Sequence, residues 1–143
     1  MRALVIDDSS TIRQIIRQTL EKRLGFEVVE ADSVGEAMDR IAWGGRYDLV
    51  VTDLLMPGLP GYSLIRRIRQ EETGGEVPIL VVSVEALDRK CLEEAAEAGA
   101  SGFLAKPFRM GELERAVRSV LDAGEAHHRT QGTGTPVETA PSR

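Results

Sequence analysis

Asp7 and Asp8 stand together at the end of one short apolar run, Arg2-Ala3-Leu4-Val5-Ile6, and Asp53 stands at the end of another, Asp48-Leu49-Val50-Val51-Thr52. Ser83 ends Pro78-Ile79-Leu80-Val81-Val82, and Lys106 ends Gly102-Phe103-Leu104-Ala105. If these runs are parallel strands of one sheet, three carboxylates, a hydroxyl and an ammonium meet at one edge. Carboxylates so close repel each other when ionised, and a bound cation removes that penalty. Hard oxygen ligands with no neighbouring His or Cys select Mg²⁺ or Mn²⁺ over zinc. Such an ion keeps waters and takes a phosphate oxygen, so the set suits phosphoryl chemistry.

Each residue alone has a plainer role. An Asp after a strand commonly forms a turn or caps a helix, and Ser9, Ser10 and Ser83 can do the same. A lysine at a strand end is often only solvated. Five such groups at one sheet edge are harder to assign to local structure. The run Asp53-Leu54-Leu55-Met56-Pro57-Gly58-Leu59-Pro60-Gly61 is the most specific. Pro57 and Gly61 shape a loop that can present the Leu55 backbone carbonyl as one more cation ligand. Pro107 fixes the turn after Lys106, and its X-Pro bond can be cis. Sequence alone leaves that isomer open.

The elements that must position these groups follow from periodicity. Strands are expected at Ala3–Ile6, Phe26–Val29, Leu49–Val51, Ile79–Val82 and Phe103–Ala105. Near-continuous β-branched runs fit parallel strands covered on both faces. Between them lie helical stripes. The first is Ile12, Ile15, Ile16, Leu20 and Leu24, with Arg13, Arg17 and Lys22 off the stripe. Ser33-Val34-Gly35-Glu36 reads as a capping box before Val34, Ala37, Met38 and Ile41. Leu64, Ile65 and Ile68 follow Gly61, and Leu87, Cys91, Ala95 and Ala98 run up to Gly99. Leu113, Ala116, Val117, Val120 and Leu121 make the last stripe. Five strand-helix units in strict alternation predict a doubly wound α/β fold with a five-stranded parallel sheet.

The folded domain is expected over 1–122. From 123 to 143 the apolar pattern stops, and the stretch reads as a flexible polar tail or linker. His127-His128 falls there and reads as a solvated pair. The chain of 143 residues suggests one domain, and 42% hydrophobic residues suffice for a core, with aromatics at only 4%. The net charge of −5 offers no basic field for nucleic acid. One cysteine, Cys91, excludes an intramolecular disulfide and fits a reducing compartment. No apolar run approaches the roughly 20 residues a bilayer span needs, and no signal peptide is evident. The expected location is the cytoplasm.

Asp7-Asp8, Asp53 followed by Met56-Pro57 and Gly61, then Ser83, then Lys106-Pro107-Phe108 together resemble the receiver domain of two-component response regulators, over about residues 1 to 122. The resemblance implies a flavodoxin-like sheet of order 2-1-3-4-5. It implies that Asp53 is the phosphoacceptor, forming an aspartyl phosphate by nucleophilic attack. Asp7, Asp8, Asp53 and the Leu55 carbonyl would hold Mg²⁺, and Lys106 and Ser83 would bind the phosphoryl group. The donor would be a sensor histidine kinase or a histidine phosphotransfer protein, met around Gln14 and Ile15 of the first helix.

By the same resemblance Ser83 and Phe103 form a switch. Phosphorylation draws the hydroxyl inward, the ring follows, and the face of helix four, strand five and helix five takes up a partner. Phe103 is equally an ordinary core residue. Leu55 and Glu85 occupy positions where side chains tune phosphoryl lifetime. Leu55 is apolar and cannot orient an attacking water, which predicts slow decay. The module would not be an enzyme beyond its own phosphorylation and dephosphorylation. It would dock on a downstream protein or feed an output domain absent from this sequence, as a monomer or a phosphorylation-dependent dimer.

Two other readings compete. A haloacid-dehalogenase-like phosphatase also uses Asp, Ser/Thr and Lys on such a sheet, but wants Asp-x-Asp-x-Thr where this chain has Asp7-Asp8-Ser9. A binding domain that merely kept the fold would not need all five site residues.

Overall fold

The computed structural model describes residues 1–43, 45–58, 61–71, 76–84 and 89–129, with side chains through residue 124. Five strands alternate with five helices. In chain order they are β1 (Arg2–Ile6), α1 (Ser10–Leu24), β2 (Glu27–Ala31), α2 (Val34–Trp43), β3 (Leu49–Thr52), α3 (Gly61–Gln70), β4 (Ile79–Val84), α4 (Arg89–Ala98), β5 (Gly102–Lys106) and α5 (Met110–Arg129). All strand pairs are parallel, in the order β2-β1-β3-β4-β5. This is the flavodoxin-like order that the resemblance implied.

The strand sequences are unbroken apolar runs because successive side chains enter two different cores. Leu4, Ile6, Val50, Ile79 and Val81 pack with Ala37, Ile41, Leu64, Ile65, Ile68 and Ala95 of α2, α3 and α4. Ala3, Val5, Leu49, Val51, Leu80 and Val82 pack on the other face with Ile16, Leu20, Leu113 and Val117 of α1 and α5.

Local signals set the helix ends. The Ser9 side chain accepts from the Ile12 amide and caps α1. At α2 the Ser33 hydroxyl accepts from Glu36 N, and the Glu36 carboxylate accepts from Asp32 N. This is the expected reciprocal cap, with the returning bond one residue earlier than in the usual box. Gly61 opens α3 against the β3–α3 loop so closely that a Cβ there would lie 2.6 Å from Leu54 Cα. Only glycine fits, which is why the loop can bend directly from the end of β3 into the helix.

Several details depart from expectation. Phe26 lies before β2, because its amide donates to Leu20 O at the end of α1 instead of entering the sheet. The strand continues through polar Glu30 to Ala31, which pair with Val5 and Ile6. Ile15 sits at the edge of the α1 stripe and is exposed, while Thr19 is buried with its hydroxyl donating to Ile15 O. Helix α5 runs on to Arg129, so 123–129, including the backbone of His127 and His128, is helical. Ala and Glu are good helix formers and no proline occurs between Pro107 and Pro136, so the helix outlasts its packed stripe. Residues 130–143, Leu87 and Glu85 lie outside the described residues.

Candidate functional site

The register makes the site. Ile6 of β1 pairs with Thr52 of β3, so Asp7 and Asp53 follow side by side. Asp7 N donates to Ala31 O and Asp53 N to Ile6 O, which extends both strand ladders one step. Ser83 is the penultimate residue of β4, and Lys106 ends β5 opposite Val84. All sit at the carboxyl edge of the sheet, beside the place where strand order reverses between β1 and β3. Ligands of open α/β sheets bind there. The turn beyond Lys106 begins with a cis Lys106–Pro107 bond.

Side-chain contacts tie these residues into one cluster. Lys106 Nζ lies 2.9 Å from Asp7 Oδ2 and 2.9 Å from Asp53 Oδ2. The other Asp53 oxygen, Oδ1, accepts from the Leu55 amide at 2.9 Å and from the Ser83 hydroxyl at 3.2 Å. Asp7 Oδ1 accepts from Ser9 N at 2.9 Å. Asp7, Asp53 and Ser83 are buried, while Asp8 is exposed at the rim. The Leu55 side chain points into solvent, half exposed.

Burial pushes the Asp7 carboxyl above its ordinary value, the Ser9 amide and Lys106 oppose this, and the neighbouring Asp53 charge adds to it. Burial alone would lower the Lys106 ammonium, but its bonds to Asp53 and Asp7 outweigh that and its pKa is raised. The Asp7 carboxyl is thus shifted toward its neutral form, while the Lys106 ammonium ties it to Asp53.

Carboxylate oxygens of Asp7, Asp8 and Asp53 lie within 4.8 Å of one another. An all-oxygen set of this size, open at Asp8 and short of positive charge, fits Mg²⁺ with its retained waters. When bound, the ion would neutralise the acids and present coordination positions to phosphoryl oxygens.

Sequence reasoning located Asp7, Asp8, Asp53, Ser83 and Lys106, and the structure brings all five together. It placed Leu55 and Phe103 beside them. Phe103 is partly exposed on β5 and shares with Ser83, Val81, Val84 and Leu92 the lining of a cavity of about 80 Å³. Periodicity missed Arg13 and Glu30. Arg13 was read only as part of the polar side of α1, yet its guanidinium reaches the backbone of Asp7. Its spacing to Arg17 marks a helix face but says nothing about β2.

Comparison with known proteins agrees with this geometry. The family model of the response regulator receiver domain matches residues 3–118. The chemotaxis protein CheY of Pseudomonas aeruginosa is 37% identical over 123 residues, covering 85% of this chain and 97% of that protein. Among solved structures, the chemotaxis response regulator CheY4 of Vibrio cholerae superimposes with a TM-score of 0.76 at 31% identity, covering 83% of this chain and 97% of that one. The receiver domain of a Pseudomonas aeruginosa sensor histidine kinase, with magnesium coordinated in its active site cleft, superimposes with a TM-score of 0.73 at 31% identity over 85% of this chain and 97% of that one. No helix among the described residues is long and apolar enough to cross a membrane. A receiver implies a histidine kinase as partner, and its acidic triad is of the kind that holds Mg²⁺. The chain belongs to the response regulator receiver domains, and is a signalling phosphoacceptor instead of an enzyme that turns over a substrate.

Proposed function

We propose that Asp53 is the residue that takes the phosphoryl group, in a Mg²⁺-dependent transfer from a phosphohistidine on a sensor kinase or phosphotransfer protein. The observation that carries this is the Lys106 ammonium bridging Asp7 and Asp53 while the Ser83 hydroxyl and Leu55 amide meet the other Asp53 oxygen. A carboxylate oxygen of Asp53 forms the O–P bond as the donor's P–N bond breaks, and the freed imidazole keeps the bonding pair and takes up a proton. Lys106 and Ser83 already face the nucleophile and meet the charge on the transferred oxygens. Asp7 and Asp8, with Asp53 and the Leu55 carbonyl, hold the ion. The protein's contribution is positioning and charge neutralisation.

Ser83 and Phe103 form the switch. The cavity that Ser83 and the partly exposed Phe103 both line supports this, because a displaced hydroxyl and a turning ring would share it. The readout face is α4, β5 and α5, offered to a downstream protein or to an output domain, with no direct contact to nucleic acid. Residues 1–122 form the receiver and 123–143 a connector, at work in the cytoplasm. The half-exposed Leu55 side chain is apolar and cannot orient an attacking water, which favours a long-lived phosphate.

The test is intact mass after incubation with acetyl phosphate and Mg²⁺. One added phosphoryl group is expected, lost without Mg²⁺ and lost in Asp53→Asn. No gain from acetyl phosphate and none from a phosphohistidine donor would overturn the reading, and a gain retained in Asp53→Asn would move the acceptor elsewhere.

A further inference from the structure

Asp7 and Asp8 are joined by a single peptide group, and the carbonyl of that peptide is the Asp7 oxygen. It accepts a hydrogen bond from Arg13 Nη1 at 2.6 Å. Arg13 is itself aimed from the far side: its Nε donates to Glu30 Oε1 of β2 at 2.8 Å. The second oxygen of Glu30 is held by Arg17 Nη1 at 2.7 Å, and Arg17 Nε contacts Glu21 at 2.9 Å. The guanidinium plane is thus fixed between a strand carboxylate and the peptide that links the two acids. The amide of Asp7 is fixed by Ala31 O, and its carboxylate by Ser9 N and Lys106. Asp8 lies at the exposed rim of the site. The direction in which its carboxylate leaves the chain depends on the peptide plane that precedes it.

We propose that Arg13, braced by Glu30, is a positioning residue for the Mg²⁺ site: it locks the Asp7–Asp8 peptide so that both carboxylates converge on one ion. Mg²⁺ demands near-ideal octahedral geometry and tolerates little angular error in its few protein ligands. Partners that orient ligands therefore influence affinity strongly. The inference deepens the reading of Asp7 and Asp8 as ion ligands and rests on it.

Electrostatics and positioning predict opposite signs, which makes the proposal sharp. Removing a cation near a site for a divalent cation should tighten binding by Coulomb's law. Removing a brace should weaken it. The experiment is a calorimetric Mg²⁺ titration of the full chain and of Arg13→Gln, Arg13→Lys and Asp8→Asn, each checked for folding by thermal melting. Arg13→Lys keeps the charge but has no fork to span Glu30 and the Asp7 carbonyl. Both Arg13 variants should bind Mg²⁺ about tenfold more weakly. Phosphorylation by acetyl phosphate should fall at low Mg²⁺ and recover when Mg²⁺ is saturating. Unchanged or tighter binding in a folded Arg13 variant overturns the proposal, and if Arg13→Gln does not fold, Arg13→Lys decides alone. Loss of binding in Asp8→Asn with none in the Arg13 variants would sink the brace and keep the ligand. Full binding in Asp8→Asn would sink the ligand assignment itself.

Discussion

The two ends of this sheet each hold a partly buried cation, and they use it in opposite ways. At the carboxyl edge Lys106 sits between the carboxylates of Asp7 and Asp53. At the amino edge Arg69, near the end of α3, donates to Val77 O at 2.6 Å and to Gly99 O at 2.6 Å through Nη2. That joins α3, the chain leading into β4 and the turn after α4. Carboxylate partners push the lysine pKa up, whereas burial pulls that of Arg69 down with Glu76 opposing. Carboxylates can exchange their cation partner for an incoming ion or phosphoryl group. Main-chain carbonyls at a closed turn have nothing comparable to exchange with. One cation is part of a site, and the other is a clasp.

The largest effect that tests this contrast is expected from Lys106→Met. Phosphorylation from acetyl phosphate at saturating Mg²⁺ should drop by about a hundredfold, as when one preorganised donor to a developing anion is lost. Stability without Mg²⁺ should fall by about 3 kcal/mol, because Asp7 and Asp53 are left buried and uncompensated. Urea unfolding with and without Mg²⁺ checks it, and added Mg²⁺ should restore part of the loss. A Lys106→Met protein that keeps normal phosphorylation would erase the distinction between the two ends.

Arg69→Ala should behave in the reverse sense. Two partly buried carbonyls lose their donor, at a cost of about 2–4 kcal/mol in urea unfolding. The loss should not depend on Mg²⁺, and the phosphorylation rate of the folded protein should be unchanged. Gly99 belongs to the same clasp: its φ is 123°, and a Cβ there would lie 2.7 Å from Arg69 Nε. If the Arg69→Ala loss were reversed by Mg²⁺, the two ends would be coupled through the sheet and the contrast would be one of degree.

Sequence reading recovered one of these ends and not the other, for a physical reason. Asp7, Asp8, Asp53, Ser83 and Lys106 were legible because each is a polar residue placed where an apolar run stops. Strand termination is a local signal. The two-core alternation was legible for the same reason, since β-branched runs record burial on both faces. Arg69 is flanked by Arg66, Arg67 and Gln70 on a helix whose apolar stripe is Leu64, Ile65 and Ile68, so nothing local separates it from solvated neighbours. Its partners lie up to 32 positions away in sequence. Arg13 is hidden likewise, because Glu30 is an acidic residue inside a strand whose meaning appears only when α1 lies across β2. The end of α5 was misjudged because helix propagation continues on propensity after packing has ceased.

Arg13 combines both uses of a partly buried cation, one carboxylate from Glu30 and one carbonyl from Asp7, and a titration can separate the halves. Burial alone would raise the Glu30 carboxyl, but its bonds to Arg13 and Arg17 outweigh this and hold it below the ordinary value of 4.5. In the acid range below 4.5 the unfolded chain therefore binds this proton more readily than the folded one. The Glu30 contribution is present above that range and is lost as pH falls through the folded value. Asp7, whose pKa is raised, has the opposite sign, so the contribution must be read as the difference between wild type and Glu30→Gln. Because Glu30 is partly exposed, wild type should exceed Glu30→Gln by no more than about 1 kcal/mol at neutral pH. The gap should close on acidification and show in urea midpoints across the range. A gap that persists undiminished below the folded value would mean that Glu30 acts through packing alone. Arg13 would then be held at the Asp7 carbonyl without help from charge, and the boundary between clasp and site would run through that one side chain.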